Sequence, residues 1–293
     1  MSNFDLLIRN GTIATAADTF KADVAVKDGR IVALGEDLGA ADREIDATGK
    51  LVLPGGVEGH CHIEQISSSR VMTADDFYSG TVSAVFGGTT TVIPFAAQQK
   101  GDSLRQTVEA YHACAGPKAV IDYGFHLIIS DPTAQVIGQE LPAMIKDGIT
   151  SFKVYMTYDD LRLDDYQMLE VLSAARRDGA MVMVHAENHD MIRWLSEKLL
   201  DAGHWQPQYH AISHSRACEG EAAHRAIALS RLMDQPILVV HVSSEEAMDE
   251  IRLAQNKGLK IFAETCPQYL FLTADDLKRD GIDRKSTRLN SSH

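Results

Sequence analysis

Two histidines flank a cysteine in "GGVEGHCHIEQ", residues 55–65, directly after the apolar run "KLVLP". Imidazole is a common ligand of divalent metals. Alternate residues of an extended segment project to one side, so His60 and His62 could converge on one ion. With twelve histidines in 293 residues, an HxH pair also arises by chance, and the pair alone does not separate ligands from bystanders. Three later residues add weight, each ending an apolar run: Lys153 in "TSFKVYM", His185 in "MVMVHAE" and His241 in "ILVVHVSS". One strand-end histidine reads best as a hydrogen-bonded core residue, whereas four together with a lysine form a constellation.

A lysine belongs in such a group only if it is neutral. Burial and nearby positive charge would depress its pKa toward the free amine. A neutral amine can add carbon dioxide to give a carbamate, an anion whose two oxygens could bridge two metals; the alternative is a lysine snorkelling to a rim. Tyr155 points to the same side as Lys153 and could donate its hydroxyl to a developing oxyanion, or it could simply pack there. Cys61, Cys114, Cys218 and Cys266 form neither a CxxC pair nor a dense framework. They read as buried thiols in a reducing compartment.

Positioning these groups requires strands whose ends meet. The first fifty residues alternate apolar and polar positions around two hairpin signals, Asn10-Gly11 and Asp28-Gly29, which predicts a small antiparallel β unit. From Leu51 onward, short apolar runs ("TTTVIPF", "YGFHLIIS", "TSFKVYM", "MVMVHAE", "PILVVHVSS", "LKIFAET") alternate with helical patterns such as "SLRQTVEAYHACA" and "DYQMLEVLSAARRDG". "SEEAMDEIRLAQNKG" opens with Ser243 and Glu246 in capping-box spacing, and Gly87-Gly88 reads as a turn before a strand. Strand followed by helix, repeated, means a parallel sheet.

Counting "LVLPGGV" as the first, there are about seven strands, one short of a closed (β/α)8 barrel of the TIM type, in which strand C-termini surround one mouth. An open doubly wound sheet would carry a Gly-rich phosphate turn after its first strand; here that strand ends in HCH. The expected division is residues 1–53 as part of a small β-sandwich domain and 54–283 as an incomplete β/α barrel. The polar "RKSTRLNSSH", residues 284–293, resembles the translation of a sequencing-adapter remnant and is expected to be a non-native tail. The native chain would then continue beyond about Asp283.

The composition, 45% hydrophobic and 24% charged, is that of a folded protein. A net charge of −13 without basic runs removes the electrostatic basis for binding nucleic acid or an anionic membrane. The N-terminus lacks a signal-peptide pattern, and no apolar stretch could span a bilayer. A cytoplasmic protein with a small-molecule substrate is expected.

Together, "LLIRNGTIAT", "VAVKDGRIVALG", "KLVLPGGVEGHCHIEQ", "FGGTTTVIPFA", "DGITSFKVYMTYDD", "VHAEN", "VVHVSS" and "ETCPQYLFLT" resemble the cyclic amidohydrolases, most closely the hydantoinase and dihydropyrimidinase group, from about Phe4 to Leu277. The resemblance implies that His60 and His62 hold one divalent metal and His185 and His241 a second. Lys153, as its carbamate, would bridge both, with zinc the first expectation and manganese an alternative. Tyr155 falls where the family steadies the substrate's carbonyl oxygen. The implied reaction opens a hydantoin or dihydropyrimidine to an N-carbamoyl amino acid, in a homotetramer. An aspartate after the eighth strand, which completes that family's metal shell, has no counterpart in this sequence, so this chain by itself is expected to be inactive. The competing expectations are an allantoinase- or dihydroorotase-like ring opening, or a non-catalytic assembly protein of the same superfamily. Retention of all five ligands argues against the last.

Overall fold

The structure, a computed structural model, describes residues 4–66 and 71–279; the expected non-native tail, 284–293, lies outside the described residues. The chain divides into two compact units. One runs to Gly56 and includes Gly88–Thr90; the other comprises Val57–Gly87 and the chain from Thr91 onward.

The first unit contains β1 (Phe4–Arg9), β2 (Thr12–Ala14), β3 (Thr19–Lys21), β4 (Asp23–Lys27), β5 (Arg30–Gly35), β6 (Ala41–Asp46) and β7 (Leu51–Val52). They form two sheets, ordered β5-β4-β1-β6 and β3-β2-β7. Asp28-Gly29 joins β4 to β5 as a true hairpin, with φ of 49° and 71°. These positive angles let a two-residue turn match the strand twist. Asn10-Gly11 does not make a hairpin, because β1 and β2 lie in different sheets. Asn10 turns the chain at φ 62° and ties itself to Asp46, while Gly11 passes so close to β7 that a Cβ there would meet Val52 Cγ2 at 2.5 Å. The unit is also mixed rather than antiparallel: β1–β6 and β2–β7 are parallel pairs. The intervening chain is long enough for the crossover that parallel pairing needs.

In the second unit the chain alternates strand and helix: β8 (Gly56–Glu58), α1 (Phe77–Phe86), β9 (Thr89–Val92), β10 (Phe95–Ala97), α2 (Leu104–Ala115), β11 (Asp122–Tyr123), β12 (His126–Ile128), α3 (Leu141–Lys146), β13 (Ser151–Tyr155), α4 (Asp165–Asp178), β14 (Met181–His185), α5 (His189–Asp201), α6 (His210–Ser213), α7 (Arg216–Met233), β15 (Ile237–Val239), α8 (Glu245–Asn256) and β16 (Ile261–Ala263). Six strands pair in parallel in the order β10-β12-β13-β14-β15-β16. This is a TIM-barrel-like α/β fold.

Three apolar runs are each broken in two. In "LVLPGGV", Leu51–Val52 pairs with β2, and the barrel begins only at β8. "TTTVIPF" divides into β9 and β10 at Pro94, which has no N–H to give to a ladder. "YGFHLIIS" divides opposite it into β11 and β12, and the bonds Gly124 N–H to Val92 O and His126 N–H to Pro94 O carry the register across the break.

Strands buried on both faces give the continuous apolar runs. Phe152, Val154, Val182, Val184, Ile237 and Val239 face the helix layer, while Phe95, Ile128, Tyr155, Met183 and Val240 form a separate interior cluster. α4 buries Met168, Val171, Leu172 and Ala175, an i, i+3, i+4, i+7 stripe between an Asp164/Gln167 capping box and a left-handed Gly179. α8 is capped by Ser244, which accepts from Ala247 N–H; Ser243, the sequence-predicted cap, is engaged elsewhere. Of the four cysteines only Cys218 is buried, and Cys114 is exposed. No helix among the described residues is long and apolar enough to cross a membrane.

Candidate active site

All six residues singled out from the sequence come together at one end of the parallel sheet. His60 and His62 follow β8, with ring centroids 5.8 Å apart. His241 lies 5.5 Å from His60 and 4.5 Å from His185, ring to ring. His185 ends β14, and His241 lies two residues beyond β15. Lys153 does not end its strand: it is the third of five residues in β13, one pleat below the terminal Tyr155. Tyr155 pairs in register with His185, and their rings stack at 5.2 Å.

Lys153 has no exposed surface, and its Nζ lies 2.9 Å from His60 Nε2. Burial drives its pKa down from 10.5 to about 7, against the opposing pull of the Glu264 carboxylate. Desolvation, rather than neighbouring positive charge, therefore makes the amine available in neutral form. Burial likewise lowers the pKa of His60 and holds that of His185 well below the usual imidazole range, so these rings are neutral. Burial raises the pKa of the Tyr155 phenol, which keeps its proton.

Three of the imidazoles are oriented from behind. His60 donates Nδ1–H to Glu264, His62 donates Nδ1–H to Gln65 Oε1, and His185 donates Nε2–H to Glu187 Oε2 at 2.7 Å. Fixing one ring nitrogen this way sets the tautomer and raises the basicity of the other, the usual support of a metal-ligating histidine. His241 sits at φ 41°, a left-handed conformation that a β-branchless but bulky side chain adopts at a cost.

Sequence reasoning missed these supports. Glu264 follows β16 directly and Glu187 lies two residues past His185, so the strand-end rule that found the histidines would have reached both. Phe95, opening β10, lies against three of the candidates. Its ring lies 4.9 Å from His60, 5.0 Å from His62 and 4.7 Å from Lys153 Nζ. His126, opening β12, donates Nε2–H to the carbonyl of Gly59 at 3.0 Å and contacts Ser151 Oγ through Nδ1; burial lowers its pKa to about 4. Cys61 is a packing residue whose thiol is pushed up to about 12 by burial, which leaves it protonated.

Among the described residues, no three His, Cys, Asp or Glu side chains form a group that could hold a metal ion. The amine of Lys153 occupies the contact with His60 Nε2, and an amine supplies no anionic oxygen. The donor set nevertheless fits a divalent pair: four imidazoles in ring-to-ring succession, three of them backed by an oxygen acceptor, with a buried amine beside His60 that is half neutral near pH 7.

Residues 51–267 match the amidohydrolase family. A D-hydantoinase of Geobacillus stearothermophilus is 48% identical over 280 residues, which covers 94% of this chain and 59% of that protein. A solved D-hydantoinase structure superposes with a TM-score of 0.92 at 44% identity, covering 95% of this chain and 61% of the other. A dihydropyrimidinase from Brevibacillus agri NCHU1002 gives 0.90 at 44% identity, covering 93% and 59%. The chain thus spans about three-fifths of the length of the relatives it matches.

Proposed function

The chain belongs to the amidohydrolase family, and on that premise we propose that it serves metal-dependent hydrolysis of a cyclic amide or imide C–N bond. The substrate class is a hydantoin or dihydropyrimidine, opened by water to an N-carbamoyl amino acid. The observation that carries this is the fully buried Lys153 amine, 2.9 Å from Nε2 of His60, which itself lies ring to ring with His62 and His241, and His241 with His185.

His60 and His62 would hold one divalent ion, and His185 and His241 a second, zinc being the first candidate. Lys153 would join them as a carbamate: its neutral amine adds to carbon dioxide, a C–N bond forms and one proton leaves. The paired ions, when bound, lower the pKa of water and polarise the carbonyl, as hydrolysis of an unactivated amide near neutral pH requires.

The chain's own residues prepare the rest. Glu264, Gln65 and Glu187 fix the ring orientations of His60, His62 and His185. Phe95 and Tyr155 wall the amine with aromatic faces, and complete burial brings its pKa down to about 7. Tyr155 retains its phenolic proton and can donate it in a hydrogen bond to the substrate's carbonyl oxygen as negative charge develops there. Among the described residues β16 pairs only with β15. The same proposal includes an eighth strand beyond it, an aspartate completing the metal shell, and a homotetrameric assembly.

The test is to measure metal content, the mass added at Lys153, and ring opening of hydantoin, dihydrouracil, allantoin and dihydroorotate, in this chain and in a chain extended to the length of its relatives. Two divalent ions, a carbamate on Lys153 and turnover of the first two substrates by the extended chain are expected. Turnover of only the last two would reassign the substrate. Two bound ions without ring opening of any kind would overturn the hydrolase assignment.

A further inference from the structure

Three contacts meet on one turn of α7. The N–H of Asn188, three residues past His185, donates to the carbonyl of Cys218 at 3.0 Å. The N–H of Ser243, two residues past His241, donates to Glu219 Oε1 at 2.8 Å, and its hydroxyl donates to Oε2 at 3.0 Å. Gly220 approaches α8 so closely that a Cβ there would lie 2.7 Å from Glu246 Cβ. Residues 218–220 therefore grip the chain just after both histidines and lock α7 against α8.

Glu219 is only 4% exposed. A buried carboxylate is costly unless donors satisfy it, and here the donors come from the turn that follows His241. That turn needs holding: a histidine at φ 41° persists only where its surroundings impose the conformation. Bonds to both the amide and the hydroxyl of Ser243 fix the chain two residues downstream of the strained position.

Resting on the reading that His185 and His241 hold one ion, we infer that Glu219 is a positioning residue for that ion's site. It clamps the turn that aims His241, while the neighbouring Cys218 carbonyl secures the segment after His185, and the two rings are kept 4.5 Å apart. Glu219 touches neither imidazole directly.

The experiment strips the chain with a chelator and titrates it with Co²⁺, following stoichiometry by equilibrium dialysis and ligand geometry by visible absorption. Amide hydrogen exchange of residues 242–244 is measured on the metal-free protein. In Glu219→Ala one Co²⁺ binds as in the unsubstituted chain and the other roughly 10–100-fold more weakly, the usual effect of losing a support behind a ligand. Exchange at Ser243 accelerates in the same variant. Glu219→Gln, whose carboxamide oxygen still accepts from the Ser243 N–H, recovers most of the affinity. In a His241→Ala background, Glu219→Ala changes Co²⁺ binding no further. Should Glu219→Ala not fold, Ser243→Ala removes one of Glu219's anchors, the Ser243 hydroxyl, and weakens the same ion by a smaller factor. Unchanged affinity for both ions, or unchanged exchange at Ser243, overturns the positioning role and leaves the metal reading standing. An unsubstituted chain that binds no Co²⁺ overturns both.

Discussion

The Nζ of Lys153 and Nε2 of His60, 93 residues apart in sequence, lie 2.9 Å from each other. Burial disfavours the charged form of each. The contact is an amine donating to an imidazole, with the other imidazole nitrogen tied to Glu264. An ammonium beside an imidazolium would be repelled, so the pair records a pocket suited to uncharged donors.

Lys153 gives the metal-free, carbamate-free chain a distinctive pH dependence. Its folded-state pKa is about 7, against 10.5 for an ordinary lysine. Below pH 7 both folded and unfolded chains carry the proton and the folded state bears the full cost, on the order of 5 kcal/mol. Between pH 7 and 10.5 the unfolded chain holds the proton that the folded chain has lost, so stability rises with pH. Lys153→Met removes that slope and is the more stable protein at pH 7, with its advantage shrinking toward pH 10.5. Thermal melts of the two proteins across this range measure the difference; parallel curves would exclude a depressed lysine pKa.

Glu264→Ala leaves His60 without its Nδ1 acceptor. Affinity for one of the two divalent ions is expected to fall roughly 10–100-fold while the other is retained. Isothermal titration with Zn²⁺ after chelation checks this, and equal loss at both ions would count against a local role for Glu264.

Tyr155→Phe keeps the ring stacked on His185 but removes the hydroxyl. If the proposed activity holds, then in a chain extended to the length of its relatives kcat for hydantoin is expected to fall about 10²–10³-fold with KM little changed, the signature of a donor used in the transition state. A rise in KM alone would assign Tyr155 to ground-state binding.

Gly11→Ala places a methyl 2.5 Å from Val52 Cγ2 and is expected to destabilise the first unit by about 1–3 kcal/mol. Val52→Ala in the same chain removes the opposing methyl and restores part of the loss. Denaturant melts of the single and double variants test the pairing; additive losses would mean that the close approach of the two residues is not the cause.

The sequence by itself determined what local chemistry encodes. Alternating apolar runs and amphipathic stretches specified a parallel β/α order because burial of strands and helices has characteristic periods. Asp28-Gly29 specified its hairpin because both turn residues need positive φ. The ends of the apolar runs pointed to His185 and His241, and HCH followed from its place after the first barrel strand. Tertiary structure decided the rest, since it depends on groups distant in sequence. Asn10-Gly11 offers the same local turn signal as Asp28-Gly29, yet pairing with β6 and β7 sends β1 and β2 into different sheets. Ser243 and Ser244 are equally good caps in sequence; Glu219, from another helix, hydrogen-bonds both, and Ser244 is the one whose hydroxyl also accepts from Ala247 N–H to cap α8. The state of Lys153 was likewise beyond the sequence, because a pKa near 7 arises from complete desolvation, and desolvation is a property of the assembled barrel interior rather than of any segment within it.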